Sequence, residues 1–141
     1  MNYLVDVNVW LALALIGHVH QTTTLKWFEE SAIGLTYFCR VTQQGLLRLL
    51  TNPKVMGANI LTAGDAWKLY DTLYQDSRVR FAEEPPGLED LWREQTRGVQ
   101  TSPNFWTDAY LAAFAAATGL TIVTFDKQFA LRKNVSVRLL G

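Results

Sequence analysis

The run Leu120-Thr-Ile-Val-Thr124 constrains the fold more than any other segment. It reads as a continuous apolar strand of the kind that a parallel sheet buries on both faces. Before it comes Tyr110-Leu-Ala-Ala-Phe-Ala-Ala-Ala117, a strong helix former with small side chains that allow close packing, and Gly119 is its natural stop. Ser102-Pro103 looks like the start of that helix, with Ser as N-cap and Pro at the first helical position. A second buried strand is read at Tyr3-Leu-Val-Asp-Val7, and Asn8 is placed to cap a helix running through Trp10 to Leu15. Thr22 or Thr23 opens a further helix, which Gly34 breaks, and Leu35-Thr-Tyr-Phe38 returns as strand. Residues 40–50 carry a helical pattern ended by Asn52-Pro53, and residues 62–74 carry another. Val79-Arg-Phe81 is a short strand, Pro85-Pro86-Gly87 a turn, and a helix follows to about Gln95. A short helix after Asp126 and an edge-like strand at residues 135–139 complete the chain. Strands alternating with helices imply an α/β fold with a mainly parallel sheet, covered on both sides.

The chain has 141 residues, so residues 1–141 are read as one domain with room for a sizeable core. Hydrophobic residues make up 49% and charged residues 18%, which excludes intrinsic disorder. Lys and Arg total 13 and Asp and Glu total 13, so nothing here holds DNA by charge alone, although a local patch suffices for a nucleic-acid substrate. Cys39 is the single cysteine, which excludes an internal disulfide and a Cys-rich zinc site. The apolar residues 7–16 are too few to span a bilayer, and no cationic region precedes them. A soluble, cytoplasmic protein is expected.

Ligands of parallel α/β sheets bind beyond the carboxyl ends of the strands. Asp6 falls at the end of the first strand and Asp126 just after the residue 120–124 strand. Asp108 falls near the start of the helix that feeds that strand, and antiparallel packing brings that end to the same edge. Each acid also has a structural reading: Asp126 as an N-cap, Asp108 as a first-turn acid favoured by the helix dipole, Asp6 as an acceptor of backbone N–H groups. Asp6 fits its structural role least well, because acids are rarely buried without a partner or a metal. Two carboxylates about 5 Å apart repel by roughly 3 kcal/mol at an effective dielectric of about 20, and a divalent cation removes that penalty. An all-oxygen site suits Mg²⁺ or Mn²⁺, and the chemistry implied is metal-assisted phosphodiester hydrolysis.

Three segments, in order and in register, resemble the PIN-domain ribonucleases, in particular the VapC-like toxins of bacterial toxin–antitoxin pairs. They are Tyr3-Leu-Val-Asp-Val-Asn-Val9, Trp106-Thr-Asp-Ala-Tyr-Leu-Ala-Ala113 and Ile122-Val-Thr-Phe-Asp-Lys-Gln-Phe129. His18-Val-His20 and Arg40-Val-Thr-Gln-Gln-Gly45 resemble one VapC subgroup, so the resemblance covers essentially the whole chain. It implies a three-layer α/β/α sandwich with a central parallel sheet and Mg²⁺- or Mn²⁺-dependent cleavage of structured RNA, tRNA or rRNA. It also implies a homodimer inhibited by a small antitoxin protein. Asp6, Asp108 and Asp126 fall on the family's catalytic, metal-binding acids, Asn8 on a supporting polar position, and Thr124 on the hydroxyl before the last acid.

One departure stands out. The family usually carries a Glu at the start of the third helix, whereas this chain has no acid from Phe38 to Leu50. Gln43 or Thr42 is the expected neutral substitute, while Glu83 and Glu84 are the nearest other acids, read as solvated turn residues. Arg40, Arg48 and Lys127 are candidates for RNA contact. His18 and His20 are assigned to helix initiation or packing, and Trp10, Trp27, Trp67, Trp92 and Phe114 to core or interface. Two rival readings stand beside the nuclease: a PIN-like module that binds RNA or protein without cutting, motivated by the missing Glu, and an enzyme on another phosphate substrate such as DNA flaps. The chain lacks the extra helical elements that the last would use.

Overall fold

The computed structural model describes residues 1–30, 34–98 and 102–141. Five short strands are all parallel: β1 (Tyr3–Val5), β2 (Thr36–Phe38), β3 (Val79–Phe81), β4 (Thr121–Thr124) and β5 (Val137–Leu139), in the order β3-β2-β1-β4-β5. Register pairs Tyr3 with both Thr36 and Thr121, which puts β1 at the centre. The helices are α1 (Val7–Ala14), α2 (Gln21–Glu30), α3 (Arg40–Leu50), α4 (Pro53–Met56), α5 (Ala63–Tyr74), α6 (Leu88–Gln95) and α7 (Phe105–Thr118).

The two-residue period of the strands sorts the core into two halves. Val5, Phe38, Val79 and Val123 face one way and pack against Trp10 of α1, Trp27 and Phe28 of α2, Leu46 and Leu50 of α3, and Tyr70 of α5. Leu4 and Ile122 face the other way, onto Leu88 of α6, Leu111 and Phe114 of α7, and Phe129. The result is the expected three-layer α/β/α arrangement, with β4 buried at every position. Trp10 stacks flat on Phe38, with ring centroids 3.8 Å apart. Trp67, by contrast, lies on the surface.

Several element boundaries differ from the sequence expectations, and each difference is a capping choice. Asp6, not Asn8, caps α1: its backbone is extended and its carboxylate accepts the Val7 N–H at 2.8 Å. Asn104, not Ser102, precedes α7; the Ser102 hydroxyl accepts the Asn104 N–H at 3.2 Å in a turn outside the helix. Asn52 does follow α3, but it also caps the four-residue α4, with Pro53 at the first helical position. Gly119 closes α7 at φ 74°, a conformation that costs a glycine little.

Candidate active site

The strand order reverses between β1 and β4, because β1 leads outward to β2 on one side while β4 lies on the other. Loops diverge there and leave a crevice. A cleft of about 390 Å³ opens at this point, and Asp6, Asn8, Asp108 and Asp126 all line it. The first three belong to the loop after β1 and the first turns of α1 and α7; Asp126 follows β4 and caps the short 3₁₀ turn Lys127–Leu131.

Thr124 ties two of the acids together. Its hydroxyl donates to Asp6 Oδ2 at 2.8 Å and accepts the Asp126 N–H at 3.0 Å. Asp6 Oδ1 accepts the Val7 N–H, and Asp126 Oδ1 accepts the Gln128 N–H at 2.9 Å. Burial pushes the Asp6 carboxyl up, the bonds from Thr124 and Val7 oppose this, and the Asp126 charge adds to the rise. Asp108 is pushed up to about 6, first by burial, then by the charges of Asp6 and Asp126, with Arg132 pulling the other way. The three acids therefore sense one another electrostatically. Among the described residues, no group of three His, Cys, Asp or Glu side chains converges as a preformed metal site. Asp6 and Asp126 are instead each held by local partners: Val7 and Thr124 for the first, Gln128 for the second.

The remaining sequence candidates divide. Gln43 is buried and turned away from the cleft, accepting from the Arg40 guanidinium. Thr42 is also buried; its hydroxyl accepts the Cys39 N–H at 2.9 Å and donates to Cys39 O at 3.0 Å, which makes it a helix-start residue. Arg40 lies over the Phe81 ring at 4.7 Å, and neither it nor Lys127 lines the cleft. Arg48 does line it. Glu84 accepts from the Tyr110 hydroxyl at 2.7 Å, and neither it nor Glu83 reaches the cleft. His18 and His20 act at the start of α2: the His18 and His20 carbonyls accept the N–H groups of Gln21 and Thr24, and the His20 ring stacks on Phe125.

Sequence reasoning passed over Gln44, Asn104 and Thr107, which line the cleft. A helical wheel groups them with residues already singled out, without saying which face of α3 meets the cleft. Asn104, Thr107 and Asp108 share one face at i, i+3 and i+4, and Gln44 is grouped with Arg48 four residues on.

Comparison with known proteins gives the family. Residues 3–134 match the family model described as "PIN domain". The chain belongs to the PIN-domain family. This PIN domain is 46% identical to Ribonuclease VapC41 of Mycobacterium tuberculosis, over 98% of each chain. Among solved structures it superposes on VapBC2 from Rickettsia felis, bound to a promoter DNA fragment, with TM-score 0.75, 15% identity and full coverage of both chains. It also superposes on Mycobacterium tuberculosis VapC20, a sarcin-ricin loop cleaving toxin, with TM-score 0.69 and 21% identity over 96% of this chain and 98% of that one. The structural likenesses bear on the fold alone.

Proposed function

We propose that this PIN domain is a Mg²⁺- or Mn²⁺-dependent endoribonuclease that cuts structured RNA, tRNA or rRNA, as the toxin of a toxin–antitoxin pair. The observation that carries the reading is that Asp6, Asp108 and Asp126 line one cleft at the β1/β4 switch point, with Asp108 pushed up to about 6 in part by the other two charges. The activity in the name of Ribonuclease VapC41, similar along nearly the whole chain, supports it. The reading carries with it a small antitoxin protein as partner, a homodimer and a cytoplasmic setting, as the resemblance to VapC-like toxins implies. Among the described residues, no helix is long and apolar enough to cross a membrane.

The donor set fits a hard divalent cation: three carboxylates, two of them held above the ordinary range by burial and like charge. Asp6, Asp108 and Asp126 would hold it. Bound there, such an ion neutralises charge on the phosphate in transit and makes the attacking water more acidic. The chain's own part is positioning. Thr124 sets the relation between Asp6 and Asp126 through one hydroxyl. Asn8 offers an amide from the first turn of α1. Asp108 must give up its proton for its carboxylate to act as a ligand, so metal binding tightens as pH rises through about 6.

The test is incubation of the purified protein with total bacterial RNA and Mn²⁺ or Mg²⁺, beside an Asp6→Asn variant and an EDTA control, with the ends mapped. Discrete cuts with wild type and metal alone are expected. Full activity in a folded Asp6→Asn protein would sink the proposal. A second reading, a module that binds RNA or protein without cutting, draws on the α3 wall, which carries no carboxylate. Calorimetry that shows no Mg²⁺ or Mn²⁺ uptake at millimolar metal would favour it.

A further inference from the structure

Helix α3 presents one stripe to the cleft: Val41, Gln44, Gly45, Arg48 and Leu49. The spacing is i, i+3, i+4, i+7 and i+8, a single helix face. Its polar members, Gln44 and Arg48, stand one turn apart and are both exposed. The same cleft is lined by the three carboxylates, so it holds groups of both signs. Arg48 is the one cationic residue of this lining among the described residues. The ion pairs among those residues join Arg78 to Glu29 and Asp76, and Arg93 to Glu89; none involves Arg48. Arg48 therefore lines the cleft with no carboxylate within ion-pair distance among the described residues.

A polyanion that enters a cleft with three acids meets repulsion, and a cation placed to one side decides where its backbone can lie. We propose that Arg48 positions the RNA, its guanidinium taking a backbone phosphate beside the one that is cut, with Gln44 hydrogen-bonding the same strand. This rests on the ribonuclease reading above and adds to it the wall that aligns the substrate. Arginine suits the task because its planar fork matches two phosphate oxygens. Arg40 carries the same charge on the same helix but spends it on Gln43 and Phe81, which makes it the natural control.

The experiment titrates a fluorescein-labelled RNA hairpin with the cleavage-blocked Asp6→Asn protein in Mn²⁺, over a series of salt concentrations. Adding Arg48→Ala is expected to weaken binding about tenfold or more and to lower the slope of log affinity against log salt by about 0.7–0.9, the signature of one lost phosphate contact. Arg48→Lys should keep the slope and lose part of the affinity, because a point charge still releases a counterion while the fork is gone. Arg40→Ala should change affinity less than twofold. An unchanged slope in Arg48→Ala, or equal losses in Arg40→Ala and Arg48→Ala, overturns the inference alone. Failure of the Asp6→Asn parent to bind the hairpin overturns the RNA reading and the inference with it. Thermal melts accompany each variant, and Arg48→Gln repeats the comparison if Arg48→Ala does not fold.

Discussion

Asp108 shows how a single residue can carry a stability cost that depends on pH. A carboxyl raised to about 6 is penalised in its ionised form on folding, by burial and by two like charges. The folded state then holds its proton more tightly than the unfolded state between about pH 4 and 6, so this residue's contribution to stability falls as pH rises across that window and stays low above it. Asp108→Asn, measured by urea unfolding in EDTA, should therefore stabilise the protein at pH 7 by roughly 1–2 kcal/mol, allowing for partial solvent screening. The gain should shrink toward pH 4 and vanish below about pH 3, where both states are protonated. A variant equally stabilised at both pH values would show that the charge is not the cause.

At the scale of elements, the approach of α3 to the start of α1 is what shapes the cleft. A Cβ at Gly45 would stand 2.6 Å from Val7 Cγ2, so the two helices meet at a distance that only glycine allows. Alanine gains up to about 1 kcal/mol in helix propensity but costs about 1–3 kcal/mol in overpacking. Gly45→Ala should thus lower stability by about 1 kcal/mol in chemical denaturation, and adding Val7→Ala should recover most of the loss. If the double variant is no more stable than Gly45→Ala alone, the contact is not the source of strain. The elements themselves were largely legible in the sequence, because their signals are local: an apolar run for β4, a 3.6-residue period for α3, a glycine after α7. That Asp6, Asp108 and Asp126 line one cleft was legible because strand ends and helix starts share one edge of a parallel sheet. The face of α3 was not. Gln43 and Gln44 are identical in chemistry, and only the rotation of the helix decides which one reaches the cleft and which one meets Arg40. Nor could the sequence choose between Asp6 and Asn8, or between Ser102 and Asn104, as helix starts, since all are good capping residues.

At the scale of the molecule, the sheet separates two cores that share no side-chain cluster. Leu46→Ala on one side should cost about 2–5 kcal/mol and Ile122→Val on the other about 0.5–1.5 kcal/mol. In the double variant the losses should add to within about 0.5 kcal/mol by urea unfolding, because the two sites contact different neighbours. A larger departure would mean that the two layers communicate through the strands. The central place of β1 has another consequence, one of timing. The first strand made is the one that must wait longest, since its partner β4 and the hydroxyl that orients Asp6 are encoded more than a hundred residues later. At roughly 5–20 residues per second, a growing chain on the ribosome carries Asp6 for several seconds to some tens of seconds before Thr124 and Asp126 exist. Through that interval the three acids cannot share one cleft, so on the proposed ribonuclease reading a nascent chain, or one broken off before β4, is expected not to cut.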